Sequence, residues 1–403
     1  MGSMRVILSV GGTWHAPHLA YQLEQYGILE TVFSSVPPSR YLQRASIPRH
    51  RLHWCPFPEL VGPRVAHLLH LPPRLRRRFD YQYAVSFDRT VRSLMERQHL
   101  DLFVVFNRFG LETLRLMKRR GVCTVVERAS THSRARERLL DEECERVGVS
   151  RICSRLDPRV LERELEEYEV ADYISVPSSF AAHSFVAEGI PRSKLIRVPF
   201  GVDTDLFQPM PAEHSTFRVI TVGNLGLEKG THYLLSALEK LGIPGTELIL
   251  VGHLDDYLRA RLEETHLRWV APGKVPQPQL PLWYNSASIF CLPSIQEGLA
   301  MVVLEAMACG LPVVVSANTG YAGLIRDGVE GFVVPVRDTE ALAEKVALLH
   351  REPELRREIG MRARQRAVEF TWNAYGRKIA SEYSRVVGAY SGAAQRVSIH
   401  AGF

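Results

Sequence analysis

Two carboxylates eight positions apart, Glu297 and Glu305, bracket residues 293–310, PSIQEGLAMVVLEAMACG. The apolar run just before them, 289–292, reads as a buried strand. The chain then turns at Pro293 and Ser294 and enters an amphipathic helix from about Leu299. At 3.6 residues per turn that helix carries Glu305 two turns in and leaves Glu297 in the loop ahead of it. Gly298 between them lets the backbone come close to a ligand. The free N–H groups and the dipole at a helix N-terminus favour an anion, by roughly 0.3–1 kcal/mol per charge at an exposed site. A ligand with an anionic middle and hydroxyls at both ends suits this layout, and a nucleotide sugar is such a ligand. A capped core helix with two surface glutamates is the plainer reading of the same residues.

The elements that must position these groups alternate between strand and helix. Residues 4–10 read as a buried strand ending at Gly11 and Gly12, followed by a helix to Tyr26, Gly27 and a second strand at 29–34. Strand, glycine turn, helix and strand make a βαβ unit, which requires a parallel sheet. Gly11-Gly12 is followed by Thr-Trp-His and is not a dinucleotide fingerprint. Further strands are expected at 101–106, 122–127 and 171–177. The loop after the second of these, Glu127-Arg128-Ala129-Ser130-Thr131-His132, leaves the carboxyl end of a parallel strand, where α/β proteins bind ligands. His132 and Arg128 are its candidate contacts, against a loop histidine without a role. Residues 136–169, with Glu162, Glu164, Glu166 and Glu167 among arginines, read as a helical run with a solvated face.

Further along, a strand is expected at 217–222, followed by a glycine-rich segment, Gly223-Asn224-Leu225-Gly226-Leu227-Glu228-Lys229-Gly230. It lacks the Gly-Lys-Ser/Thr order of a Walker loop. Strands follow at 248–252, 311–316 and 331–335, with a short helix over 280–287, a helix capped by Asp338 and a last helix near 372–387.

Composition bounds the rest. The chain has 403 residues, 46% apolar and 23% charged, which suits a globular protein of two domains. Residues 1–200 hold 30 Lys and Arg against 22 Asp and Glu, a net +8, while the remainder holds 20 against 22. The base-rich half is expected to meet something anionic, a membrane surface or an acidic acceptor. Residues 66–71 (AHLLHL), followed by Pro72, Pro73, Arg74, Arg76, Arg77 and Arg78, suit an interfacial helix on anionic lipid, at about 1 kcal/mol per basic residue. A solvated basic face is the alternative. No apolar run approaches a membrane span, and a strand follows residues 1–3 at once, so a cytoplasmic location is expected. The six cysteines form no C-x-x-C pair and read as reduced thiols. The pairs His15/His18 and His67/His70 read as ordinary helix residues, and no metal site is expected.

Residues 293–314 resemble the donor-binding signature of the retaining family-4 glycosyltransferases, PS-x-x-EG followed by LEAMA-x-G-x-PVV. Pro293, Ser294, Glu297, Gly298, Leu304, Glu305, Ala306, Met307, Ala308, Gly310, Pro312, Val313 and Val314 all match. The resemblance is strong over about 165–390 and weak before it. It implies the GT-B fold: two Rossmann-like parallel-sheet domains facing across a cleft, with a C-terminal helix crossing back to the first. The corresponding divisions are 4–204 for acceptor binding, 205–371 for the nucleotide sugar, 372–390 for the crossover helix and 391–403 for a frayed tail. It further implies a metal-independent enzyme, with no cofactor, that moves a sugar from a nucleoside diphosphate to a glycan, glycolipid or small-molecule acceptor with retention of configuration. Glu297, Lys229 and His132 would be its catalytic groups. Gly11, Gly12, Asn224, Lys274, Val275, Gly298, Leu299, Ala300, Met301 and Glu305 would bind the donor, with Arg128 as a further first-domain contact. Glu305 would hold the ribose, and Lys274 and Val275 the base. Two positions depart from the pattern. Leu299 and Ala300 replace the usual phenylalanine and glycine, and Asn224 replaces an arginine that reaches the diphosphate. Either another arginine substitutes or phosphate stabilisation is weaker. An epimerase on the same scaffold, or a non-catalytic nucleotide-sugar-binding partner of another transferase, is the alternative; nucleic acid is not an expected partner.

Overall fold

The structure, a computed structural model, describes residues 4–42, 46–56, 73–150, 156–211 and 216–400. Residues 66–71, His67, His70 and Cys153 lie outside the described residues, as do the side chains of Arg74 and Arg76.

Strands β1 Val6–Val10, β2 Leu29–Ser34, β3 Leu52–Trp54, β4 Leu102–Phe106, β5 Cys123–Glu127, β6 Tyr173–Val176 and β7 Leu195–Arg197 form one sheet. Strands β8 Arg218–Leu225, β9 Glu247–Leu254, β10 Arg268–Gly273, β11 Ile289–Leu292, β12 Val313–Ser316 and β13 Gly331–Val334 form the other. The orders are β3-β2-β1-β4-β5-β6-β7 and β10-β9-β8-β11-β12-β13, and neighbouring strands pair in parallel. Every residue of β1, β4, β5, β11 and β12 is buried. Helices cover both faces of such sheets, which is why these strands show as unbroken apolar runs in the sequence.

Strand order reverses between β1 and β4 in the first sheet and between β8 and β11 in the second. Such reversals open a crevice at the carboxyl ends of the strands, where ligands of α/β proteins sit. The loops leaving these four strands begin at Gly11, Asn107, Gly226 and Pro293. Both crevices therefore involve segments that the sequence singled out.

Three expectations change. Strand β8 runs to Leu225, so Gly223 and Asn224 are strand residues paired with Gly252 and His253 of β9, not part of a loop. Gly252, at φ 131°, makes this possible: a Cβ there would lie 1.9 Å from the Gly223 carbonyl oxygen. Residues 136–169 are not one solvated run. They form helices Ser133–Arg146 and Pro158–Val170, the second capped by Asp157, with Glu143, Arg163, Glu164 and Glu167 buried. Finally, the last helix spans Trp372–His400, with no proline to stop it where fraying was expected.

That helix crosses back to the first sheet. The Tyr383 hydroxyl donates to Glu127 at the end of β5 at 2.8 Å, and Gln22 Nε2 donates to Asn373 at 3.1 Å. Tyr375, Ile379, Tyr383 and Val386 share one apolar cluster with β1, β2 and helix Ala16–Gln25. Cys55, Cys123, Cys291 and Cys309 are buried free thiols, and Cys144 is buried as well.

Candidate functional site

The second-domain wall is built around helix Met301–Ala308. Ala300 keeps an extended backbone as its N-cap, so the helix starts two residues later than expected and Glu305 sits in its second turn. The Glu305 carboxylate is buried and accepts a hydrogen bond from the Tyr284 hydroxyl at 2.9 Å. Burial pushes this carboxyl up to about 7, against the opposing effect of the Tyr284 bond. Tyr284 lies on helix Leu280–Asn285, just beyond exposed Lys274 and half-buried Val275. Nothing in the sequence marked Tyr284, because a buried tyrosine in a short helix looks like core.

Of the N–H groups expected to face a phosphate at the helix N-terminus, that of Ala300 is already used, as is that of Glu297 in the loop ahead. Glu297 N donates to the Asn318 carbonyl at 2.9 Å and Ala300 N to the Thr319 carbonyl at 3.2 Å. The helix dipole remains. The side chains of Leu299 and Ala300 are buried and that of Met301 is half-buried.

Lys229 reaches this wall through a close backbone approach. Gly230 has φ 62°, and a Cβ there would lie 2.0 Å from the Pro293 carbonyl oxygen. With that space free, Lys229 Nζ pairs with the Glu297 carboxylate, which also accepts from Ser294 Oγ at 3.2 Å. Asn224 is exposed on β8 and brings no cation.

The first-domain wall carries a cavity of about 410 Å³ lined by Trp14, Phe106, Arg108, Arg128, Ser130 and Arg136, among others. Trp14, at φ 34°, lies half-exposed and stacks on Phe106 with centroids 6.0 Å apart. Gly12 lies against that ring, and Gly11 against the neighbouring Phe109. A Cβ on Gly12 would come within 2.9 Å of the Trp14 ring, and one on Gly11 would overlap Phe109. Their carbonyls accept from Ser35 Oγ at 2.9 Å and the Tyr41 hydroxyl at 3.2 Å. The sequence offered no signal for Trp14 beyond its place after the glycines.

Arg128 does line the cavity, held by Asn107 Oδ1 at 2.6 Å and Glu164 at 3.4 Å. His132 does not sit with it. Its ring is buried between Tyr168 and Phe185, at 5.1 and 5.0 Å between centroids, and burial lowers its pKa to about 4. The histidine expected to meet a sugar is thus a neutral side chain inside the first domain. His15 is likewise buried, 3.4 Å from Glu127.

The two walls touch. A Cβ on Gly298 would lie 2.0 Å from the Ala129 carbonyl oxygen, so this glycine accommodates the first domain rather than a ligand. Ser178 Oγ donates to the Gly298 carbonyl at 2.5 Å, and Thr131 Oγ1 donates to Gln296 at 2.7 Å. Helix Ser133–Arg146 makes charged contacts across the gap. Arg136 binds both oxygens of Glu228 through Nε at 3.0 Å and Nη2 at 2.8 Å. Glu143 meets His232 Nε2 at 2.9 Å and Arg337 Nε at 2.6 Å. Burial raises the Glu143 pKa, but the bonds from His232 and Arg337 outweigh it and hold the carboxyl below its usual range. Among the described residues no group of three or more His, Cys, Asp or Glu is placed to hold a metal ion. No described helix is long and apolar enough to cross a membrane.

Residues 203–366, which include the whole second-domain wall, match the family described as glycosyl transferases group 1. The group 1 match is accompanied by similarity to a sulfoquinovosyl transferase of Arabidopsis thaliana, 31% identical over 238 residues, covering 55% of this chain and 46% of the relative. A GDP-mannose-dependent phosphatidylinositol monomannoside mannosyltransferase of Mycolicibacterium smegmatis is 29% identical over 234 residues, covering 52% and 61%. The chain spans about half the length of the curated relatives it matches. Among solved structures, sucrose-phosphate synthase from Thermosynechococcus elongatus aligns over 96% of this chain and 100% of its own, with TM-score 0.73 and 20% identity. Anabaena HepE in complex with UDP aligns over 95% and 100%, with TM-score 0.66 and 17% identity. These likenesses, with the two facing parallel sheets, establish the GT-B fold.

Proposed function

We propose that the chain transfers a sugar from a nucleoside-diphosphate sugar to an acceptor hydroxyl, with retention of configuration and without a metal ion. The observation that carries this reading is the Lys229–Glu297 pair beside the N-terminus of the Met301–Ala308 helix, whose second turn holds buried Glu305. Cation, helix dipole and two carboxylates thus meet at the strand-order reversal of the second sheet, facing the first domain. In this reading Glu305 accepts from the ribose hydroxyls, and the base lies against Lys274 and Val275. Glu297 accepts from donor-sugar hydroxyls, while Lys229 and the helix dipole stabilise charge growing on the leaving diphosphate.

The acceptor lies against Trp14 and the Gly11–Gly12 turn. Its oxygen bonds to the anomeric carbon on the same face from which the phosphate oxygen departs, and its proton passes to that phosphate. The names of the similar proteins, which include a phosphatidylinositol monomannoside mannosyltransferase and a colanic acid biosynthesis glycosyltransferase, favour a glycolipid or polysaccharide acceptor. The net +8 of residues 1–200 favours contact between the first domain and an anionic membrane surface. Co-sedimentation with vesicles that does not depend on anionic lipid would contradict that contact.

The reaction itself is tested with UDP-, GDP- and ADP-sugars offered with lipid-linked acceptors in the presence of a chelator. The expected result is release of one nucleoside diphosphate and a product whose anomeric coupling matches the donor. An inverted product would remove the retaining step, and donors left intact with every acceptor would remove the transferase.

A further inference from the structure

A leaving diphosphate carries two or three negative charges, yet the glycine-rich segment 223–230 contains a single cation, Lys229. That cation is itself tied to Glu297. Charge of the opposite sign must come from elsewhere on the chain. The first domain brings three guanidinium groups to the cavity, those of Arg108, Arg128 and Arg136. Arg108 and Arg128 are committed to Glu164, whose side chain is 1% exposed and held below the usual carboxylate range, with burial opposed by both arginines. Removing either guanidinium from that carboxylate would leave a charge buried without its partner, which is costly. Arg136 differs. Its forked partner Glu228 is 36% exposed and can be solvated by water when released, and the other carboxylate beside Arg136, Glu137 at 3.3 Å, is the next residue on the same helix.

The placement of Arg136 is set by the helix that carries it. Arg136 and Glu143 are seven residues apart, two turns, and so lie on one face of Ser133–Arg146. Glu143 anchors the far end on His232 and Arg337, and Arg337 Nη2 also donates to the Leu139 carbonyl at 3.2 Å. With that end fixed, Arg136 is delivered to Glu228, the residue directly before Lys229. Glu228 also receives Gln296 Nε2, from the residue directly before Glu297. The guanidinium is therefore held against the two loops that carry the Lys229–Glu297 pair. It grips Glu228 with two parallel N–H bonds, a fork that fits two phosphate oxygens as well as two carboxylate oxygens.

We propose that Arg136 leaves Glu228 on donor binding and gives its fork to the sugar-side phosphate, supplying from the first domain the second positive charge that the leaving diphosphate needs. The inference rests on the transferase reading above. Glu228 is then the resting partner of the guanidinium, and the Gln296 bond keeps its carboxylate satisfied after the exchange.

Titration of the wild type with UDP, GDP and ADP and with the matching nucleoside monophosphates sets the reference, and three variants test the exchange. Arg136→Met keeps most of the stem and removes the charge. It is expected to weaken the preferred diphosphate about tenfold or more, the loss of charge-assisted hydrogen bonds, and to lower kcat, while changing the monophosphate less than about threefold. Arg136→Lys keeps the charge without the fork and should fall between. Glu228→Gln frees the guanidinium from a competing anion and should tighten the diphosphate. If Arg136→Met and Glu228→Gln weaken binding alike, or if they weaken mono- and diphosphate equally, Arg136 is only a tie between the domains and the inference is overturned. An unchanged diphosphate affinity in Arg136→Met also overturns it, leaving the transferase reading in place. A wild type that binds none of the nucleotides removes both.

Discussion

Glu305 places a titratable group inside the nucleotide site, and its environment gives that site a pH dependence. Burial holds the carboxyl near 7, and ribose hydroxyls donating to it would favour the ionised form. Ligand binding then lowers the pKa and releases a proton. Affinity should therefore rise with pH up to about 7, level off above it and weaken as the pH falls toward 6. Nucleotide dissociation constants measured from pH 5.5 to 8.5 check this, and Glu305→Gln should flatten the profile. Tyr284→Phe removes a hydrogen bond to the charged form, so the midpoint should move upward. Lys229→Ala should depress kcat by about a hundredfold or more, the usual effect of losing one preorganised partner of developing charge. Steady-state rates that match wild type would remove its role. At this scale the carboxylates were legible as candidates from residue type and spacing, and Lys229 from the resemblance to the glycosyltransferase pattern. Tyr284 and Trp14 were not, since neither burial against Glu305 nor exposure at the cleft leaves a mark in sequence. His132 stood in the right loop, but its ring turned into the aromatic core.

At the scale of elements, the strands and the helix after Pro293 were legible from apolar runs and glycine turns. The helix Ser133–Arg146 was not. Its charges look solvated in sequence because their partners, Glu228, His232 and Arg337, lie far along the chain in the other domain. Glu167 was missed for a related reason within the first domain: it is buried under the distant loop that begins at Asn107, where it accepts from the Arg108 and Gly110 N–H groups at 2.5 and 2.8 Å. Gly298 is the element-scale test. A methyl group there would sit 2.0 Å from the Ala129 carbonyl and 2.7 Å from the Ser130 Cα, both backbone atoms. Gly298→Ala should hold the domains apart and reduce turnover sharply while the second domain still binds nucleotide. A small-angle scattering radius larger than wild type would accompany it; unchanged dimensions and rate would contradict the contact.

Across the whole molecule, two parallel sheets with strand-order reversals face each other, joined by the returning helix and by charged pairs across the cleft. The parallel strands were readable because strands buried on both faces appear as apolar runs, and the two-sheet arrangement was readable from the family resemblance. The manner of closure was not, because it depends on charge pairs between distant segments. Glu143→Ala would leave His232 and Arg337 at the interface without their carboxylate, and breaking a buried pair of this kind costs about 3–5 kcal/mol. Denaturant unfolding should show that loss, together with earlier separation of the domains. The most direct test of the central claim is calorimetric titration with UDP, GDP and ADP in the presence of a chelator, on wild type and Glu305→Ala. The account predicts that one nucleotide binds the wild type and that Glu305→Ala weakens it about tenfold or more. Binding to none of the three, or equal binding by the variant, would contradict the placement of a nucleotide-sugar donor at this helix.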